Sequence, residues 1–390
     1  MLNVGIIGCG NAGNQVCALS TKKYPDIPVF AFNCSENDMN TLPASVQNRI
    51  LIGDGKGAGK NREEAKNFLQ NAIMEVVADD QFKSFLGGLD IVFVVSSTGG
   101  GTGSGMSVLF TNIISMISQK YEKPVFPISV GILPTLNEAL ATQANTLQYL
   151  TELYELSDSP TYMMYDNEKF SKMSTVETLT KVNERIVEDI NALRCYYNAP
   201  TTFNSIDERD AMTLVTTPGR IVVGSLMDVK EKDCDDDETL EDKLLTELKK
   251  NAHCEMQFDS IVNRTGLIAN LSESMLARFD THVPKVQKLI GAPIEEFEHV
   301  SINAERKLPN NVFYIATGLT PVNDRIAKIK DRIDEINEAQ KKKQDEMELD
   351  ESLLSGIQEK RVYRRPAGAS NGQPEQIDIS GLFDKFKTKK

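Results

Sequence analysis

Over the first two hundred residues, short apolar runs alternate with longer stretches in which apolar residues recur every three or four positions. Residues 2–7, 29–32, 90–97 and 125–133 are rich in Val, Ile, Phe and Leu, the pattern of strands buried on both faces of a parallel sheet. The stretches after residue 15 and over 106–117 and 175–196 carry helical spacing instead. In the last of these, Val176, Leu179, Val182, Ile186, Ile190 and Leu193 form one stripe, which predicts a long central helix ending toward Asn198-Ala199-Pro200. Alternating strands and helices of this kind read as an α/β fold with a parallel sheet. Further on, strand-like runs at 220–226 and 312–317 predict a smaller α+β second domain. A charged stretch near 322–348 predicts one long C-terminal helix, whose narrow stripe of Ile326, Ile329, Ile333 and Ile336 is expected to pack within the chain. The division expected is a first domain over 1–174, the central helix over 175–198, a second domain over 199–321, the long helix over 322–349 and a flexible basic tail over 350–390.

Candidate chemistry sits where the strands end. The run 90–97 empties into Gly99-Gly100-Gly101-Thr102-Gly103-Ser104-Gly105, ahead of a helical stretch. Glycines let consecutive N–H groups turn inward, Thr102 and Ser104 add hydroxyls, and a helix N-terminus favours an anion, so the loop is built for phosphate. It lacks the Lys of the Gly-x-x-x-x-Gly-Lys-Ser/Thr loop, which disfavours most P-loop ATPases and GTPases. A second cluster, Gly8-Cys9-Gly10-Asn11-Ala12-Gly13-Asn14, follows the opening strand and is a GxGxxG. A dinucleotide reading wants an acidic residue at the end of the second strand, where this chain has Asn33-Cys34-Ser35, with Glu36 close by. A third loop, Gly53-Asp54-Gly55-Lys56-Gly57-Ala58-Gly59-Lys60, repeats the arrangement. One nucleotide ringed by several loops fits the three together.

Gly8-Cys9-Gly10-Asn11, Gly57-Ala58-Gly59 and the string Gly99 to Gly105 resemble the nucleotide-binding loops of the tubulin/FtsZ superfamily, and the motif order is similar over about residues 1–330. The resemblance implies a GTP-binding domain, a long central helix, a smaller assembly domain and head-to-tail filaments. It assigns Gly10, Asn11, Asn14, Gly57, Ala58, Gly59, Gly99, Gly100, Gly101, Thr102, Gly103 and Ser104 to the nucleotide. It also places Glu138, in Pro134-Thr135-Leu136-Asn137-Glu138, near the ribose. FtsZ proteins usually carry an Arg four residues beyond that Glu; this chain has Thr142. Asn167, in Tyr165-Asp166-Asn167-Glu168, and Asn183 on the central helix resemble the amides that read guanine, a task suited to a side chain with donor and acceptor together. Read without the family, either Asn is a turn residue or a cap.

Asp207 and Asp210, in Asn204-Ser205-Ile206-Asp207-Glu208-Arg209-Asp210, resemble the acidic loop that one subunit inserts against the γ-phosphate of its neighbour. Taken alone, Asp207 caps a helix starting near Glu208. The resemblance implies GTP hydrolysed to GDP, with Mg²⁺ and with Asp207 and Asp210 as catalytic carboxylates in trans. Within the superfamily the opening strand, Cys9 and the long charged helix are most like the TubZ/PhuZ type of plasmid and phage tubulins. That type implies DNA segregation through a DNA-bound adaptor on the tail. The FtsZ cell-division type, a dinucleotide-dependent metabolic enzyme and a non-hydrolysing structural polymer are the competing readings.

Charge and composition narrow the field. The chain of 390 residues has a net charge of −13. Residues 356–390 hold eight Lys and Arg against four Asp and Glu, a net +4, which leaves −17 on the rest. Direct nucleic-acid binding by so acidic a body is disfavoured, because phosphates are repelled. Leu382, Phe383 and Phe386 beside four lysines suit docking on a partner or the next subunit, with anionic lipid, DNA and plain solvation of the terminus as the competing readings. No apolar run spans a bilayer and a core strand begins at Leu2, so a cytoplasmic protein is expected. Six cysteines lack metal or disulfide spacing, and three histidines are scattered, so no protein metal site is expected. The acidic run 233–238 reads as a solvated loop ahead of a helix.

Overall fold

The computed structural model describes residues 2–119, 124–156, 160–195, 201, 204–231, 238–303 and 309–347. Its strands are β1 (Val4–Cys9), β2 (Val29–Asn33), β3 (Arg49–Leu51), β4 (Ile91–Ser97), β5 (Phe126–Leu133), β6 (Thr161–Asp166), β7 (Gly219–Leu226), β8 (Ile261–Leu271), β9 (Ala292–Ile302) and β10 (Asn311–Leu319). They form one sheet in the order β3-β2-β1-β4-β5-β6-β7-β10-β8-β9. The seven strands from β3 to β7 are parallel. β10 runs antiparallel to both of its neighbours, and β9 is parallel to β8. The fold class is therefore the expected α/β, with a large, mostly parallel sheet.

Twelve α-helices cover the sheet among the described residues: α1 (Gly10–Lys23), α2 (Glu36–Asn40), α3 (Arg62–Ala78), α4 (Asp80–Gly87), α5 (Thr102–Ser118), α6 (Leu140–Tyr154), α7 (Thr175–Cys195), α8 (Glu208–Val215), α9 (Leu240–Lys250), α10 (Glu273–Leu276), α11 (Pro284–Ile290) and α12 (Asn323–Met347). Alternate strand residues feed opposite layers. Ile6, Phe93, Val95, Val130 and Ile132 pack on α1, α7 and α8, whereas Ile7, Val92 and Val94 pack on α3, α4 and α5. A third cluster joins β7, β8 and β10 to α9 and α11. The stripe of α12 does pack within the chain: Ile326, Ile329 and Ile333 are buried against Leu147, Leu150 and Leu153 of α6.

The central helix departs from expectation at its start. Val182, Ile186, Ile190 and Leu193 are buried, but Val176 is 75% exposed and Leu179 43%. The first turns of α7 therefore leave apolar side chains open to solvent, while the rest of its stripe is packed in the core. The residues 198–200, the acidic run 233–238 apart from Glu238, the last two residues of 322–349 and the whole 350–390 tail lie outside the described residues.

α7 joins the two ends of the parallel sheet. Its first turn hangs from the short 3-10 turn Asn167–Phe170 that follows β6, through Thr178 Oγ1 donating to Phe170 O at 3.0 Å. At its other end Arg194 grips Asp26, in the turn between α1 and β2, with bonds of 2.5 and 3.0 Å. Its 21 residues of helix span about 30 Å.

Candidate nucleotide site at the loop edge

Three loops meet where the parallel strands end. Gly10 starts α1 at φ +69°, and a Cβ there would lie 2.8 Å from Gly103 N, so the Gly8–Asn14 and Gly99–Gly105 loops touch backbone to backbone. A Cβ on Gly101 would lie 2.7 Å from Lys60 Cα, and one on Gly105 would lie 2.2 Å from Arg62 O, which seats the 57–62 segment on the start of α5. On Gly13 it would lie 2.1 Å from Val95 O, and on Gly99 2.3 Å from the Thr142 methyl. These glycines allow close approach of main chains. Gly100 differs: nothing lies within 4 Å of where its Cβ would be, so the middle of the string faces open space.

The helix begins earlier than the apolar spacing alone predicts. α5 starts at Thr102 rather than near Met106, so Thr102, Gly103 and Ser104 are its first turn, with their N–H groups directed to the loop edge. Ser104 is buried and donates to Gly100 O, which holds the string closed on itself. Thr102 is half-buried and hydrogen-bonds Cys34 at the end of β2; burial pushes that thiol up to about 11.

Two side chains that sequence reasoning passed over hold the loops together. Arg62 is buried and makes paired bonds of 2.9 Å to both oxygens of Glu152 on α6, with a third of 2.9 Å to Ser104 O. Burial raises the Glu152 carboxyl, but Arg62 and Lys66 outweigh it and hold the group below the usual range. Asn145 Nδ2 donates to Lys60 O at 3.0 Å and to Gly99 O at 3.2 Å, clamping the Gly53–Lys60 loop to the Gly99–Gly105 string. Arg62 and Glu152 are 90 residues apart, and no local pattern announces either contact.

The remaining predicted residues lie around this edge. Asn11 is exposed on α1. Asn14 is buried, with Nδ2 donating to Phe32 O at 3.3 Å and Oδ1 buried without a partner. Gly57 and Gly59 take φ +84° and +53°, with Ala58 buried between them. Glu138 is exposed and accepts from Thr135 N at 2.9 Å, shaping the loop after β5. Asn167 is buried just past β6, and its Oδ1 also lacks a partner. Asn183 is half-buried on α7, about two turns from its start. The open face at Gly100 and two orphaned amide oxygens at the same edge fit a bound polar ligand. Among the described residues no group of three or more His, Cys, Asp or Glu is gathered for a metal ion.

Asp207 and Asp210 are elsewhere. They form a reciprocal cap on α8: Asp210 N donates to Asp207 Oδ1 at 2.9 Å and Asp207 N to Asp210 Oδ2 at 3.3 Å. The preceding residue, Ile206, donates its N–H to His299 Nδ1 on β9 at 3.3 Å. β9 lies six strands from β4, about 29 Å at ordinary strand spacing. Within one chain these carboxylates cannot reach the glycine loops.

A buried polar cluster ties α7 to β6, β7 and α9. Asp189 on α7 lies 2.7 Å from Arg185 Nε and 2.9 Å from His253 Nε2, and accepts from Tyr165 Oη of β6 at 2.9 Å. Arg185 also pairs with Glu247 of α9 and donates to Val223 O of β7 at 2.6 Å. Burial raises the Asp189 carboxyl, but Arg185 and His253 outweigh that and hold it below the usual range, while burial keeps His253 below its own. His253 is thus part of the core, as are the four free, buried cysteines among the described residues, Cys9, Cys17, Cys34 and Cys254.

Known proteins share the family and the fold of this chain's first half. Residues 3–175 match the tubulin/FtsZ family, GTPase domain. The cell division protein FtsZ of Aquifex aeolicus is 26% identical over 232 residues, 57% of this chain and 58% of that protein. The chain spans about half the length of the curated relatives it matches. Among solved structures, the Clostridium botulinum phage c-st TubZ superposes with a TM-score of 0.67 at 19% identity, covering 85% of this chain and 97% of that one. A GTPγS-form protofilament of Bacillus thuringiensis serovar israelensis TubZ gives 0.65 at 18%, covering 88% and 94%. At such identities the structural likeness is one of fold. The family resemblance carried by the glycine loops is shown by the match over residues 3–175.

Proposed function

We propose that this chain is a tubulin-like GTPase that binds GTP at the loop edge, polymerises head to tail, and hydrolyses GTP to GDP where two copies meet. The observation that carries the reading is the separation of its parts. The glycine loops lie at one edge of the sheet and the Asp207–Asp210 cap beside β9, about 29 Å away along the sheet. A second copy stacked on the loop edge would bring its own carboxylates to the phosphates.

Exposed apolar side chains support stacking. Val176 and Leu179 stand out at the loop end of α7, while Phe258, Ile261 and Ile294 stand out beside the start of β8 and β9. Two different apolar patches on one chain suit a head-to-tail contact, which propagates as a filament. Gly10, Asn11, Asn14, Gly57, Ala58, Gly59 and Gly99 to Ser104 would cradle the phosphates, Glu138 the ribose, and Asn167 and Asn183 the guanine. Mg²⁺ would be held largely by the phosphates and water, since the described residues gather no ligand cluster of their own. Asp207 and Asp210 from the neighbour would orient the attacking water.

For the cellular role we favour positioning of plasmid or phage DNA from the cytoplasm, through an adaptor bound by the basic tail. The fold likeness to phage TubZ over most of both chains supports this. The identity to FtsZ keeps a division filament as the second reading. No described helix is long and apolar enough to cross a membrane.

Asp207→Asn and Asp207→Ala test the catalytic assignment together. Asn caps a helix as well as Asp does, so Asp207→Asn should keep stability, GTP binding and filament growth while turnover falls at least about tenfold, roughly 1.4 kcal/mol of barrier. Asp207→Ala should also lose about 1 kcal/mol of stability with the cap. Full turnover by Asp207→Asn would leave Asp207 a cap and nothing more.

A further inference from the structure

The glycine string lacks the lysine that a Walker-type phosphate loop carries, yet the fold brings one to it from another loop. Lys60 closes the Gly53–Lys60 segment, and its Cα lies 2.7 Å from the position of a Cβ on Gly101. Its carbonyl is fixed by Asn145, which bonds Gly99 O with the same nitrogen. Resting on the nucleotide reading above, we propose that Lys60 supplies the cation for the phosphate chain of the nucleotide held at Gly99–Gly101.

Three observations carry this. First, the position is conformationally unsuited to a side chain. Lys60 has φ +64°, in the left-handed region where glycine sits freely and other residues are strained, and it directly follows Gly57 and Gly59, which take the same sign. A further glycine would be the relaxed choice; a lysine held there instead points to a role for its side chain.

Second, its charge is available. The other lysine of the loop, Lys56, pairs with Asp54 at 3.3 Å, whereas no salt bridge joins Lys60 to a carboxylate among the described residues, and it is exposed. In a chain of net charge −13, an exposed cation without a carboxylate partner is placed to meet an anion.

Third, there is room beside it. The space in front of Gly100 is open, next to the residue whose backbone Lys60 touches, and a four-carbon stem reaches across one neighbouring residue. The N–H groups of the string and of the first turn of α5 would then share the phosphate charge with one mobile ammonium.

The test compares ligands that differ only in phosphate. Full-length wild type, Lys60→Met, Lys60→Arg and Lys60→Gly are titrated with guanosine, GDP and GTPγS in Mg²⁺, by displacement of a fluorescent guanine nucleotide. The proposal expects Lys60→Met to bind GDP and GTPγS about tenfold more weakly with guanosine unchanged, Lys60→Arg to restore the difference, and the salt dependence of GDP binding to shrink in Lys60→Met. Lys60→Gly, which relieves the backbone, should be at least as stable as wild type and show the same phosphate-specific loss. Equal affinities of wild type and Lys60→Met for all three ligands would overturn the proposal. So would an equal loss for guanosine and GDP, which is the mark of a loop merely misplaced. Wild type that binds none of the three would instead overturn the nucleotide reading itself, and this inference with it.

Discussion

At the loop edge the chain uses glycine and main-chain contact: Gly10, Gly13, Gly101 and Gly105 each lie against a neighbouring backbone, and Gly100 alone of the string between Gly99 and Gly105 faces open space. At the α8 corner it uses two carboxylates, each engaged by the backbone N–H of the other. The first region can surround an anion but offers no carboxylate to orient water; the second offers carboxylates that no anion in the same chain can approach. Each lacks what the other supplies, and the long helix α7 with its buried cluster fixes how one is presented relative to the other.

Cutting that link has the largest expected effect. Asp189→Ala leaves Arg185 buried with one partner fewer, and the loss of a buried ion pair of this kind costs about 3–5 kcal/mol, measurable as a lower urea midpoint. Both regions should fail together, since Tyr165, Arg185 and His253 meet at this carboxylate. Loss of stability below about 1 kcal/mol would mean that the two halves are not held by this cluster.

Next come paired glycine substitutions, which separate packing from binding within the loop edge. Gly13→Ala forces a methyl to within 2.1 Å of Val95 O, where only backbone could yield, and should lose on the order of 3 kcal/mol. Gly100→Ala meets nothing within 4 Å and should change stability by less than about 0.5 kcal/mol while weakening nucleotide binding. If Gly100→Ala binds guanine nucleotide as wild type does, the open face of the string is not the phosphate site.

The smallest effect is a pH dependence at the junction. His253 is held below its ordinary value of 6.5, first by burial, so below about pH 6.5 the unfolded chain takes up a proton that the folded chain resists. Stability should therefore decline as pH falls from about 6.5 toward the folded value, and His253→Gln should flatten this slope. Asp189, also held low, adds its own loss only below about pH 3.8. A slope that persists in His253→Gln would assign it to other groups.

The parallel strands were legible because they are buried on both faces, as the six buried residues from Ile91 to Ser96 illustrate. The glycine loops were legible because few other contexts tolerate such strings. The start of α5 was not, since Gly103 and Gly105 are poor helix formers retained for contact with Cys9 O and Arg62 O. Nor were Arg62, Glu152 and Asn145, whose partners lie 42 to 90 residues away. The exposure of Val176 and Leu179 escaped a reading based on spacing, because periodicity marks a face of the helix and not how far along the helix its cover extends.

Whether the site is completed between two copies is decided by titrating protein concentration at fixed GTP and Mg²⁺ while recording phosphate release and sedimenting polymer in the same samples. A site shared between neighbours requires that both appear above one common threshold concentration. Phosphate release that rises linearly from zero protein, without polymer, would contradict it and make the single chain a complete enzyme.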